Sequence, residues 1–226
     1  MRFSEFEFIM SVPRMGRYLK AVGGITKNAM TLYRLNLRLS QELFTIESCF
    51  EIALRNKIDQ HYSIHKGSDW LRNAALPGGM FNTRNCGKTP FIISQGLRNL
   101  LVYSPPKLLA LMDFGFWRYM FAPHQFYAGG QSLLMIFPSK LQSSSRNQYN
   151  HNLVFLELEK LNNLRNRLAH HEPVCFTDGA AVKNITYAQQ HYNIIMNLFN
   201  WMQIDEATLL YGLDHINTIL TKIDAL

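Results

Sequence analysis

The longest uninterrupted stretch of this chain runs from Thr26 to His65 without a proline or a glycine. Within it, apolar side chains recur every three or four residues, the spacing of one face of an α-helix. They are Leu32, Leu35, Leu39, Leu43, Ile46, Phe50, Leu54 and Ile58. Thr26 fits an N-cap and Gly67 a helix stop. The pattern predicts one helix over about 26–65, or two helices broken near Ser40.

A second helical pattern begins near residue 151 and cannot continue through Pro173, so it is predicted to span about 151–171. Its apolar side is expected to consist of Leu153, Leu156, Leu161, Leu164 and Leu168. Glycine- and proline-rich residues 77–90 and polar residues 139–150 read as loops. No sustained two-residue alternation indicates a strand. The sequence therefore predicts a single all-α domain over 1–226, a helical bundle with long antiparallel helices and a few short extra helices.

The charge and the cysteine content of the chain narrow the range of possible functions. The chain carries 23 Lys and Arg against 16 Asp and Glu, a formal net charge of +7, which favours polyanionic partners such as RNA. Its 3 cysteines are far apart and form no zinc-binding pattern, as expected in a reducing cytosol. No secretory signal or membrane span is apparent. A soluble, cytoplasmic protein that needs no metal or cofactor is expected.

The end of the second helix concentrates polar and basic side chains in the string Arg-Asn-Arg-Leu-Ala-His-His-Glu-Pro, residues 165–173. Asn166 and His170 are four residues apart and share a helix face. Arg165 and His170 are five apart, so a regular helix would separate them by about 140°. They can converge only if the helix loosens at its end or if a second copy of the helix supplies the partner.

These residue types suit cleavage of RNA, which carries its own nucleophile in the 2′-hydroxyl. Histidine titrates near neutrality and can move protons, whereas arginine stays charged and can hold a phosphate with two hydrogen bonds. The alternative interpretation is structural, because basic residues at the C-terminus of a helix also interact favourably with the helix dipole.

The pattern Arg165-Asn166-x-x-x-His170 resembles the signature of HEPN ribonucleases, and the whole string over 165–173 closely resembles the corresponding stretch of Abi-like (abortive infection) bacterial proteins of that superfamily. Residues 50–58, Phe-Glu-Ile-Ala-Leu-Arg-Asn-Lys-Ile, and the Gly-Ser-Asp-Trp-Leu at 67–71 also resemble the N-terminal half of that family. The resemblance covers about a third of the chain.

The resemblance implies an all-helical protein that forms a homodimer through its motif helix and cleaves RNA without a metal ion, in phage defence or as a toxin. Arg165 would contact the scissile phosphate, Asn166 would position the reacting group, and His170 would transfer the proton. His171 is an alternative to His170, since a six-residue spacing also falls within the family's range.

A second match to the loose pattern lies in the first long helix, at Arg55, Asn56 and His61. It is interpreted either as a second half-site, which would remove the need for a dimer, or as a structural feature. In the structural interpretation Glu51 and Asp59 flank Arg55 at four-residue spacing and support it in a ladder of ion pairs.

Two other functions remain open from the sequence: a non-catalytic RNA-binding or antitoxin-like HEPN module, and a helical protein-interaction subunit. Because an unrestrained ribonuclease would poison its host, we expect an antitoxin or another regulatory partner. No residue of the sequence identifies that partner.

Overall fold

A computed structural model describes all residues from 1 to 226, and it confirms the all-α class. Twelve α-helices follow one another along the chain. They are α1 (Phe3–Met10), α2 (Val12–Ala21), α3 (Thr26–Lys66), α4 (Trp70–Ala74), α5 (Lys88–Arg98), α6 (Pro105–Ala110), α7 (Phe114–Tyr119), α8 (Pro123–Ala128), α9 (His151–Ala169), α10 (Thr186–Trp201), α11 (Glu206–Leu209) and α12 (Ile216–Asp224). Two 3₁₀ turns cover Arg84–Cys86 and Leu133–Ile136, and one isolated bridge pairs Phe176 with Lys183.

The first long helix, α3, is continuous over 41 residues and has no break at Ser40. All eight apolar positions of its predicted stripe are buried. A continuous apolar stripe lets one helix pack along its whole length, which accounts for a helix well above the usual size. Thr26 is its first helical residue rather than its cap.

The chain divides into two compact units, and α3, α9 and α10 contribute residues to both. The first unit comprises Met1–Ser48, Asn163–Met196 and Glu206–Leu226. Its core includes an edge-to-face aromatic chain in which the Tyr18 ring lies 5.0 Å from Tyr33 and 4.9 Å from Phe176. The end of α9 belongs to this unit.

The second unit comprises Cys49–Asn162 and Asn197–Asp205. In its core Trp70 stacks on Tyr62 with 4.6 Å between ring centroids, and Phe50 meets Phe199 at 5.5 Å. The single domain predicted over 1–226 stays a prediction. None of the helices combines the length and apolar character that a membrane span requires.

Candidate functional site at the end of helix α9

The motif side chains surround a well-anchored helix end. Leu164 and Leu168 are buried and fix the last turns of α9 in the first unit. Asn166 and His170 lie exposed on the outside of this helix end, and Arg165 is half-buried. A packed helix terminus therefore presents the polar groups of the motif to solvent.

The chain leaves α9 through a Schellman motif. His171 adopts a left-handed conformation with φ of 56°. The His171 amide donates to the Leu168 carbonyl at 3.0 Å, and the Glu172 amide donates to the Arg167 carbonyl at 2.9 Å. Glycine usually takes this position because it has no Cβ. The exposed His171 side chain is therefore attached to a sharply turned backbone just beyond the helix.

The helix does not loosen before His170. The His170 amide still donates to the Asn166 carbonyl at 3.0 Å, the bond of a regular α-helix. Arg165 and His170 consequently leave the backbone about 140° apart. The prediction that the helix loosens at its end and so brings Arg165 and His170 together is therefore wrong. The alternative, in which a second copy of the helix supplies the partner residue, stays a prediction.

Arg167 lies inside the motif string but has a structural role. Its Nε donates to the Pro173 carbonyl at 3.0 Å and its Nη1 to the Asp178 carboxylate at 2.8 Å. The guanidinium also lies 4.6 Å from the centroid of the Tyr187 ring. Arg167 thus ties the segment after α9 to the helix end, and with it the position of His171.

Two residues outside the motif, Asn36 and Arg14, also hold this segment. The Asn36 side chain of α3, 4 % exposed, accepts a hydrogen bond from the Val174 amide at 3.0 Å. Arg14 of α2 donates to the His171 carbonyl at 3.3 Å. The one sequence signal for Asn36 is an amide within the apolar stripe of α3. No sequence signal points to Arg14, because its contact with the His171 carbonyl spans 157 residues of chain.

A cysteine nucleophile is not supported at this helix end. Cys175 follows the motif closely but is fully buried. Burial raises the pKa of its thiol to about 12, so the thiol stays protonated near neutral pH. The exposed imidazoles of His170 and His171 are accessible to solvent at this helix end.

The second match to the loose pattern lies in a different setting, in the second unit. Arg55 is half-buried and Asn56 exposed, whereas His61 is only 8 % exposed. The His61 Nε2 lies 2.9 Å from the Ser132 hydroxyl, and its ring contacts those of Tyr62 and His65. Burial, and then the charge of His65, lower the pKa of His61, so this imidazole is held neutral inside the unit.

Asp59 fastens α4 to α3. Its carboxylate accepts hydrogen bonds from the Trp70 indole at 2.8 Å and from the Ser63 hydroxyl at 3.2 Å. The ladder of ion pairs from Glu51 and Asp59 to Arg55 stays a prediction. Glu51, the other member of that ladder, is half-buried on α3. Arg55 and Asn56 thus stand on the outer side of a helix whose neighbouring His61 and Asp59 are structurally engaged.

No group of three or more His, Cys, Asp or Glu side chains is arranged to hold a metal ion. Comparison with known proteins gives no match to a family model, to a curated protein or to a solved structure.

Proposed function

We propose that this protein is a metal-independent endoribonuclease of the HEPN type that acts in phage defence or as a toxin. The observation that carries the proposal is the exposure of Asn166 and His170 on one face of the end of α9, next to the half-buried Arg165. That segment also has the resemblance to Abi-like proteins. Under this proposal the chain is an RNA-binding, cytoplasmic enzyme restrained by an antitoxin or another regulator.

The proposed reaction uses only groups of the protein and the RNA. His170 removes the proton of the 2′-hydroxyl, whose oxygen attacks the adjacent phosphorus, and the bond to the 5′-oxygen breaks. Arg165 stabilises the charge on the phosphoryl oxygens, and Asn166 orients the reacting hydroxyl. The leaving 5′-oxygen takes its proton from the protonated His170, which returns to the neutral form, and the products carry a 2′,3′-cyclic phosphate and a 5′-hydroxyl.

Exposure along α9 supports pairing of two copies through this helix. Leu156 is 44 % exposed although the sequence placed it in the core. Asn163 and His170 follow Leu156 at seven-residue intervals and are also exposed, so the three share one face of α9. An exposed leucine on the motif face is the type of residue that an interface covers. Arg165 lies about 180° around α9 from Leu156, so a site shared by two copies requires the Arg165 side chain of one copy to reach around this face to His170 of the other.

The test is cleavage of a labelled single-stranded RNA in EDTA by the wild type and by the His170→Ala variant. We expect a loss on the order of 10²–10⁴ in rate, the usual contribution of a general acid or base. His124→Ala, which removes an exposed histidine of α8, is the matched control and should cleave like the wild type. Circular dichroism of each variant verifies that the fold is retained.

Two results would contradict the proposal. Equal cleavage by the wild type and His170→Ala would show that His170 is not the base. Absence of cleavage by the wild type, alone and with divalent ions, would favour the second candidate, an RNA-binding module that does not cleave. The 140° separation of Arg165 and His170 on a single regular helix is the observation that favours this second candidate.

A further inference from the structure

Helix α2 carries three cations and no acidic residue over Val12–Ala21. Arg14, Arg17 and Lys20 follow one another at three-residue spacing, so they occupy one broad side of the helix. Arg14 and Lys20 are exposed, and Arg17 is half-buried. We name these three residues the α2 cation row.

Two members of the α2 cation row, Arg14 and Arg17, lie against the segment that follows the motif. Arg14 donates to the His171 carbonyl at 3.3 Å. Arg17 donates from Nη2 to the Thr177 carbonyl at 3.0 Å, and from Nε and Nη2 to the Ala180 carbonyl at 3.1 and 2.8 Å. Both arginines belong to the same compact unit as Arg165 and His170. The row therefore begins beside the motif and continues along residues 171–180.

The charge of the exposed Arg14 remains available to an anion, whereas Arg17 makes three hydrogen bonds to carbonyls and lies 4.5 Å from the centroid of the Phe176 ring. Both guanidinium groups bond to carbonyl oxygens, which carry only partial negative charge. Arg167 differs, because its guanidinium bonds to the Asp178 carboxylate and lies 3.9 Å from Glu172. Its charge is therefore offset within the protein, and α2 supplies cations that are not offset in this way.

A phosphate at the end of α9 needs such additional cations. The C-terminus of a helix carries about half a negative charge, which repels an anion. Arg165 alone would have to overcome that repulsion as well as hold the phosphate. Arg14 is placed to reduce it, since its guanidinium contacts the carbonyl of the residue that closes the helix.

We propose that the α2 cation row binds the RNA backbone next to the cleaved bond, with Arg14 on the phosphate nearest His171 and Lys20 farther along the strand. The proposal rests on the proposed function for the identity of the polyanion as single-stranded RNA. It adds the path of that strand and a second phosphate-binding residue, Arg14, from outside the motif. Arg17 mainly holds the segment 177–180 in place.

The experiment measures binding without cleavage. A fluorescent single-stranded RNA with 2′-O-methyl groups lacks the nucleophile, so its anisotropy reports binding alone. Affinities of the wild type, Arg14→Gln and Arg14→Lys are compared between roughly 50 and 200 mM salt. Arg98→Gln, an exposed arginine of α5, is the control for the loss of one positive charge.

One lost phosphate contact should lower the slope of log K against log salt by about 0.7, which corresponds to about a fivefold loss of affinity near 0.1 M salt. We expect this loss in Arg14→Gln, retention of most of the affinity in Arg14→Lys, and a smaller effect in Arg98→Gln. Lys20→Gln should show a similar loss and is independent of any effect that Arg14 has on folding.

Equal losses of affinity in Arg14→Gln, Lys20→Gln and Arg98→Gln would overturn the proposal that the α2 cation row binds RNA, because binding would then depend on net charge alone. Absence of binding by the wild type would overturn it as well. The two proposals fail separately. If the wild type binds RNA in a way that depends on Arg14 but does not cleave unmodified RNA, RNA binding by the α2 cation row is retained and the ribonuclease proposal is rejected. Cleavage by a wild type whose binding is insensitive to Arg14 would do the reverse.

Discussion

At the scale of single residues, His171 combines a backbone conformation that favours glycine with an exposed imidazole next to the proposed base. A left-handed conformation costs an L-residue about 1–2 kcal/mol, and a glycine at this position would avoid that cost. Glycine also makes the unfolded chain more flexible, which cancels part of the gain in stability. We therefore expect His171→Gly to raise the free energy of unfolding by about 0.5–1 kcal/mol, measured by chemical denaturation.

His171→Ala is the matched variant, because it removes the imidazole and keeps the Cβ. It should be no more stable than the wild type. If His170 transfers the proton, both variants should cleave RNA at close to the wild-type rate. A loss on the order of 10² or more in both variants would instead assign the proton transfer to His171.

His61 makes the second unit sensitive to acid. Its pKa in the folded protein is lowered, by burial first and by His65 second, while the unfolded imidazole keeps a pKa of about 6.5. Between these two values the unfolded state binds more protons, so stability falls as the pH decreases through that window. His61→Gln should therefore lose less in melting temperature between about pH 7 and pH 5 than the wild type does.

The exposed His124 provides the control for the pH experiment. His124→Gln should follow the wild type, and His65→Gln should fall between the wild type and His61→Gln, because it removes only the smaller cause of the lowered pKa. Parallel melting curves for His61→Gln and the wild type at both pH values would contradict the assignment of acid sensitivity to His61.

At the scale of elements, α3 stabilises the protein through one face. Leu39 is fully buried in the stripe, whereas Leu37, two residues earlier, is 47 % exposed. Truncation of a buried leucine typically costs about 2–5 kcal/mol, while changes at exposed positions stay within about 0.5 kcal/mol. Denaturant unfolding should show that difference between Leu39→Ala and Leu37→Ala. Similar losses in the two variants would mean that the exposed face of α3 is also covered.

The same helices show how far the sequence predicts structure. The stripe of α3 was readable because one unbroken spacing of three and four residues allows only one buried face. In α9 leucines and other apolar residues occupy two overlapping rows, and the sequence placed Leu156 in the core. Val154 and Leu158 are buried there instead, and Leu156 is exposed. Local spacing cannot decide between two such rows, because the choice depends on what packs against the helix.

The residues of the candidate site likewise fall into those that the sequence locates and those whose role only the fold shows. Because α9 cannot continue through Pro173, the sequence alone places Arg165, Asn166 and His170 near the end of a helix. The roles of Arg14, Asn36 and Arg167 depend on the fold. Arg14 and Asn36 reach the segment after α9 across more than 130 residues of chain. A short motif contains no information about such contacts.

At the scale of the whole molecule, the regularity of α9 decides where a complete site can form. If two copies pair and share their sites, each site combines Arg165 of one chain with His170 of the other. A dimer of Arg165→Gln with His170→Ala then has one intact site and one site without either group. In an equilibrated equimolar mixture half of the dimers are mixed, so about a quarter of the wild-type activity should return although each variant alone is inactive.

Recovery of activity in this mixture depends on which chain supplies each group, so it separates a shared site from a site within one chain. The control mixture pairs Arg165→Gln with the double variant that lacks both Arg165 and His170, in which no site is intact. Distinct tags on the two chains allow the mixed dimers to be isolated, and these should reach about half of the wild-type rate. Mixed dimers that form but stay inactive would mean that Arg165 and His170 act within one chain. The side chains would then have to span the 140° between them, and pairing through α9 would have no part in catalysis.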